Sequence, residues 1–126
     1  MKTLNIIESA YRATLEEQDD TIVWITHAMK EAGADLAVLL RGSAVNYAAR
    51  GQDASGLAFG TERQTQPPRV DDDLGALIPK GVPVFAVEED LAERGLRAGD
   101  LHEGIQRVAR GDLPQLFAGF DRVWHW

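Results

Sequence analysis

At 126 residues with 44% hydrophobic composition, the chain suits one globular domain, 1–126, and leaves little room for a second. Its 20 acidic and 13 basic side chains give a formal charge of -7, which argues against a surface built to neutralise nucleic-acid phosphates or anionic lipid. The absence of cysteine removes disulfides, thiolate metal sites, Cys nucleophiles and persulfide carriers together.

Thr3 to Ile7 reads as a short strand, followed by a polar break from Glu8 to Ala13. Charges at Lys2, Glu8, Arg12, Glu16, Glu17, Asp19 and Asp20 interrupt any signal-peptide core, and no apolar run approaches the roughly 20 residues of a membrane helix. A cytoplasmic protein is the expectation. Thr14 and Glu17 have the capping-box form, and Asp19 and Asp20 add charge suited to a helix start. Ile22, Ile25, Met29 and Ala32 follow at helical spacing and Gly33 supplies a stop, so a helix is expected over 15–32.

The continuous apolar run Leu36 to Leu40 predicts a strand buried on both faces, as in parallel sheets. After Arg41-Gly42-Ser43, a short helix is expected from Ala44 to Arg50. Gly51 to Arg69, with the Pro67-Pro68 pair, reads as a long loop or flap. Asp71-Asp72-Asp73 with Leu74, Leu77 and Ile78 predicts a helix with an acidic start, ended by Gly81. Val82 to Val87 predicts another buried strand, with Pro83 confined to its first residues. Glu88-Glu89-Asp90 ends it, and Leu91 to Arg94 predicts a helical turn. Asp100 and Glu103 ahead of Leu101, Ile105 and Val108 predict a helix closed by Gly111. A short helix from Asp112 through Phe120 and a strand over Arg122 to Trp126 complete the chain.

This order predicts an α/β fold: a three-layer, flavodoxin-like, open and mostly parallel sheet of about five strands with helices on both faces. Ligands in such sheets bind beyond the carboxyl ends of the strands. That rule selects Glu8 and Ser9, Arg41 to Asn46, Glu88 to Asp90, and the chain end near His125. The glycine patterns of phosphate and dinucleotide loops are absent, so no cofactor is assigned. Glu8-Ser9-Ala10-Tyr11-Arg12 lacks the glycines of a flavin phosphate loop. Only Lys2, Lys30 and Lys80 are lysines, leaving no phosphate-coordinating cation near the last strand for receiver chemistry.

In the order and spacing of four features the chain resembles the DsrE/DsrF-like family of small sulfur-relay-associated proteins. They are Leu4-Asn5-Ile6-Ile7, Ala32-Gly33-Ala34-Asp35, Val38-Leu39-Leu40 with Gly42 to Asn46, and Gly81-Val82-Pro83-Val84 leading to Leu91-Ala92-Glu93-Arg94-Gly95-Leu96. The resemblance covers nearly the whole chain. It implies a flavodoxin-like fold, assembly as a trimer or hexamer, and sulfur-relay proteins as partners. It also implies a persulfide-carrying cysteine just after the strand Val82 to Val87. Here that position is Val87 or Glu88, so the sulfur-transfer chemistry has no thiolate.

Each candidate residue carries two readings. Glu88-Glu89-Asp90 could face a ligand or metal, with like charges raising pKa values, or serve as the acidic start of a helix. Arg41 and the amides of Gly42 and Ser43 could receive an anion, with Asn46 facing the same crevice, or form a turn with Ser43 as N-cap. Ser9 lacks a nucleophile elbow. His27 and His102 read as structural. His125, on the opposite strand face from Trp124 and Trp126, is a ligand, a base or an interface residue. The two indoles, with Phe117 and Phe120, either cover a subunit contact or pack on the protein's own helices. Two functions follow: a non-catalytic homo-oligomer binding a small ligand or protein at the strand ends, or a metal- or carboxylate-dependent enzyme using Glu8, Glu88, Glu89, Asp90 and His125. A structural subunit of a sulfur-relay complex is a third.

Overall fold

The computed structural model describes residues 1–11, 19–52 and 56–126. Its centre is a five-stranded parallel sheet built from β1 (Lys2–Ile7), β2 (Asp35–Leu40), β5 (Val84–Val87), β6 (Gln106–Val108) and β7 (Arg122–His125), in the order β6-β5-β2-β1-β7. A separate antiparallel pair, β3 (Ala58–Phe59) and β4 (Glu62–Arg63), lies within the stretch expected as a loop; residues 53–55 of that stretch lie outside the described residues. The expected flavodoxin-like α/β fold is the fold found.

Strand alternation divides the core in two. Ile7, Leu36, Val38, Leu40, Val84 and Ala86 face one layer, which is made by α1 (Thr21–Glu31), a 3-10 helix over Gly42–Ala48, α2 (Val70–Gly75) and α3 (Glu88–Glu93). Leu4, Ile6, Ala37, Leu39 and Val87 face the other, where α4 (Leu113–Ala118) is the covering helix, with Leu116, Phe117 and Phe120 against them. The chirality of parallel crossovers accounts for this imbalance. The steps β1 to β2 to β5 to β6 all run in one direction across the sheet and keep their connections on one side. The step from β6 back to β7 reverses direction and must cross the opposite face.

Several expectations need correction. The first long helix begins at Thr21 rather than residue 15; Thr14 and Glu17 lie outside the described residues. Its cap is Asp20, 1% exposed, whose carboxylate accepts from the Ile22 and Val23 amides and from the Tyr47 hydroxyl at 2.6 Å. Ile25 and Ala32 are exposed, and the inner face is instead Ile22, Val23 and Thr26. Thr26 earns that place by donating to the Ile22 carbonyl and accepting from the Asn5 amide, while Asn5 Oδ1 is buried without a partner.

The expected helix over 100–108 is absent. A 3-10 turn over Ala98–Asp100 is followed by Gly104 at φ +94°, which α-helix geometry forbids, and then by β6 as an edge strand. Asp100 caps the preceding turn, accepting from the Arg97 amide at 2.8 Å, instead of opening a helix. The helix expected from Ala44 to Arg50 is the 3-10 segment from Gly42, and Ser43 does not cap it. Pro83 precedes β5, where its missing N–H breaks no ladder bond, and its carbonyl accepts from Val38.

Candidate functional site at the strand carboxyl ends

A topological switch occurs between β5 and β6: the chain leaves β5 into α3 on one face and leaves β6 toward α4 on the other. Open α/β sheets place ligand sites at such crevices. The residues there are Glu88, Glu89 and Asp90 of α3 and Arg110, which follows β6.

Asp90 is the central group. Its side chain is 11% exposed; one oxygen accepts from the Gly42 amide at 2.8 Å and the other lies 2.7 Å from the Arg110 guanidinium. Burial alone would raise its pKa, but the Gly42 amide, Arg110 and Arg94 outweigh burial and hold the carboxyl below its ordinary range. The crowding expected to raise a pKa in this acidic run therefore does not do so at Asp90. Gly42 reaches Asp90 because it adopts φ +56°, and an added Cβ would lie 3.2 Å from Glu8 Cγ. The anion received by the Arg41-Gly42-Ser43 turn is thus the protein's own Asp90.

The neighbouring charges extend the arrangement. The Arg110 amide donates to both Glu89 carboxylate oxygens, at 3.0 and 2.9 Å. Glu88 pairs with Arg107 at 3.3 Å. Arg94 donates to the Asp90 carbonyl and approaches the Ser43 hydroxyl. Across the sheet, His125 Nε2 lies 2.6 Å from Glu8 Oε2, while Arg41 Nε lies 3.8 Å from Glu8 Oε1. The strand ends therefore carry two clusters, His125–Glu8–Arg41 and Gly42–Asp90–Arg110–Glu89, linked by the adjacent residues Arg41 and Gly42.

The predicted residues divide accordingly. Glu8 and Arg41 meet, joined by His125, whereas Glu88 turns to Arg107 while Glu89 and Asp90 share Arg110, one through its amide and the other through its guanidinium. Asn46 does not join them; its amide donates to the Ser43 carbonyl within its own 3-10 helix, and Ser9 is exposed. Sequence reading missed Gly42 as a donor to Asp90, together with Arg94, Arg107 and Arg110. A cation one or two residues after a strand end was the available signal for Arg110. Trp124 and Trp126 pack edge to face, with ring centres 6.5 Å apart and 36% and 40% exposure, on the strand face opposite His125.

These paired charges can bind a polar surface by exchanging partners, and an Asp90 held ionised is not poised to donate a proton. Val87, buried at the end of β5, and Glu88, opening α3, occupy the place the resemblance assigns to a thiolate; Glu88 puts a carboxylate at that helix start. A second concavity, about 400 Å³, lies away from the strand ends between α1 and α2, lined by residues including Trp24, His27 and Asp73. Burial and a hydrogen bond that the protonated Asp73 donates to Asp19 raise the Asp73 carboxyl to about 6.

Among the described residues, no helix is long and apolar enough to cross a membrane. No protein-family model matches the chain, and no curated protein sequence matches it. Solved structures do. The ychN protein from E. coli aligns at 22% identity over 100% of both chains with a TM-score of 0.74. The protein of unknown function MTH1491 from Methanobacterium thermoautotrophicum aligns at 16% identity over 98% of this chain and 96% of its own, with a TM-score of 0.60. At these identities the likeness establishes a shared fold, and that fold agrees with the one the DsrE/DsrF-like resemblance implies.

Proposed function

We propose that the chain is a non-catalytic DsrE/DsrF-like module that binds a small ligand or protein partner at the strand ends and cannot carry a persulfide. The carrying observation is the clamp of Asp90 between the Gly42 amide and Arg110, which fills the topological switch with mutually neutralised groups. Mixed charges in reversible pairs suit recognition of a polar protein surface, and the partners implied by the resemblance are sulfur-relay proteins in the cytoplasm. The metal- or carboxylate-dependent enzyme is less well supported, because the acidic run disperses onto Arg107, Arg110 and Gly42.

Self-association belongs to the same reading. β7 is an edge strand, and Val123, Trp124 and Trp126 leave 42%, 36% and 40% of their surface exposed. Aromatics at a sheet edge favour a subunit contact, and the resemblance points to a trimer or hexamer. Phe117 and Phe120 do not contribute in the same way, because they pack against the second core.

Two measurements test the proposal. Sedimentation velocity at tens of micromolar is expected to show a trimer or hexamer that Trp124→Ala and Trp126→Ala weaken. A monomer overturns the assembly, and an oligomer unchanged by both substitutions removes the indoles from the contact. Incubation with a persulfide donor is expected to leave the intact mass unchanged; a stable gain of about 32 Da refutes the non-carrier assignment.

A further inference from the structure

We propose that Asp71, Asp72 and His102 form a site for a divalent transition-metal ion, separate from the strand-end cluster. Their donor atoms all lie within 4.8 Å of one another, although His102 is 31 residues from Asp71 in sequence. Metal bonds of about 2.0–2.2 Å place donors around one ion within roughly 4.4 Å, so a small side-chain rotation closes the set. Two carboxylate oxygens and one imidazole nitrogen suit zinc, manganese or ferrous iron, with waters completing the shell.

The surroundings hold two of the three donors in advance. The Asp71 side chain is 5% exposed, and its carboxylate lies 3.1 Å from His102 Nε2. A buried carboxylate facing a second carboxylate is a costly concentration of charge, which a divalent cation offsets. The His102 amide donates to the Ala48 carbonyl at 2.9 Å, and the His102 carbonyl accepts from Ile105. Its ring rests on α2 where Gly75 leaves space: a Cβ there would fall 2.9 Å from His102 Nδ1. That packing leaves Nε2 as the nitrogen aimed at Asp71. Asp72, 56% exposed, is the solvent-side donor, and its 3.4 Å pair with the exposed Arg69 is of a weak class that a metal can displace.

The test is calorimetric titration of chelator-treated protein with zinc chloride and with manganese chloride, with Glu62→Gln as a surface-carboxylate control. Saturable binding of one ion per chain is expected for at least one metal. His102→Ala and Asp72→Asn should each weaken it by about tenfold or more, with Glu62→Gln unchanged. Should His102→Ala fail to fold, Asp72→Asn, which alters an exposed side chain, still decides the matter. Gly75→Ala supplies an independent readout, since it displaces the His102 ring without removing a ligand and should also lower affinity. Absence of saturable binding to both metals, or affinity retained within about threefold in Asp72→Asn, overturns the site.

Discussion

Replacing Asp90 with alanine removes the acceptor that serves both the Gly42 amide and Arg110. A hydrogen bond to a charged group contributes about 1.5–3 kcal/mol net, whereas an ion pair with a half-exposed guanidinium contributes about 0.2–1 kcal/mol. Because these contributions overlap, Asp90→Ala should cost about 2–3 kcal/mol at pH 7. Asp90→Asn keeps an acceptor for Gly42 but loses the charge, so about 1 kcal/mol is expected. Urea unfolding followed by circular dichroism measures both, with an unchanged denaturant slope showing that only stability has moved. The pH dependence supplies a second criterion. The folded Asp90 carboxyl titrates below the unfolded value of about 3.9, so its stabilisation is complete above that value and is lost as pH falls through the folded pKa. The difference between wild type and Asp90→Ala should therefore shrink on acidification. A penalty below about 0.5 kcal/mol at pH 7, or a difference that stays constant to about pH 2.5, refutes the reasoning.

Leu39 is fully buried in the core facing α4, so Leu39→Ala should lower unfolding free energy by about 2–5 kcal/mol in the same urea assay. Tyr47→Phe removes the 2.6 Å bond to the buried cap Asp20; a loss of about 1.5–3 kcal/mol is expected, and a neutral result would show that other groups satisfy Asp20.

The strands of the sheet centre were legible because Leu4 to Ile7, Leu36 to Leu40 and Val82 to Val87 are apolar runs too short for helices and bounded by polar or turn residues. Residues 100–108 misled because Leu101, Ile105 and Val108 sit at helical spacing, and an aspartate can cap a 3-10 turn as readily as an α-helix. Gly104 was the local sign to the contrary, since its φ of +94° ends any helix there. At the site, the acidic run and Arg41 could be placed at strand ends from topology alone. Their partners could not: Gly42 is 48 residues from Asp90 and Arg110 is 20 away, and it is the β2–β5 pairing that brings Gly42 to Asp90 and the β5–β6 pairing that brings Arg110. The Asp71–His102 contact was hidden for the same reason, with the added difficulty that His102 was read into a helix that does not form.

Among the described residues α4 is the one helix on the second sheet face, and this bears on how the native state opens. α4 is six residues, about 9 Å long, and leads within a few residues into β7. β7 is held at the edge by bonds including those between Lys2 and Asp121 and from the Trp126 amide to the Ile6 carbonyl. Helix and strand thus form a natural unit of local unfolding, able to detach while the opposite helical layer stays docked. Their departure would bare Leu4, Ile6, Ala37, Leu39 and Val87 together with the hydrogen-bonding edge of β1. A flat apolar face beside an open strand edge is a template for pairing with another chain, so aggregation on warming should begin from this partly opened species, ahead of global unfolding.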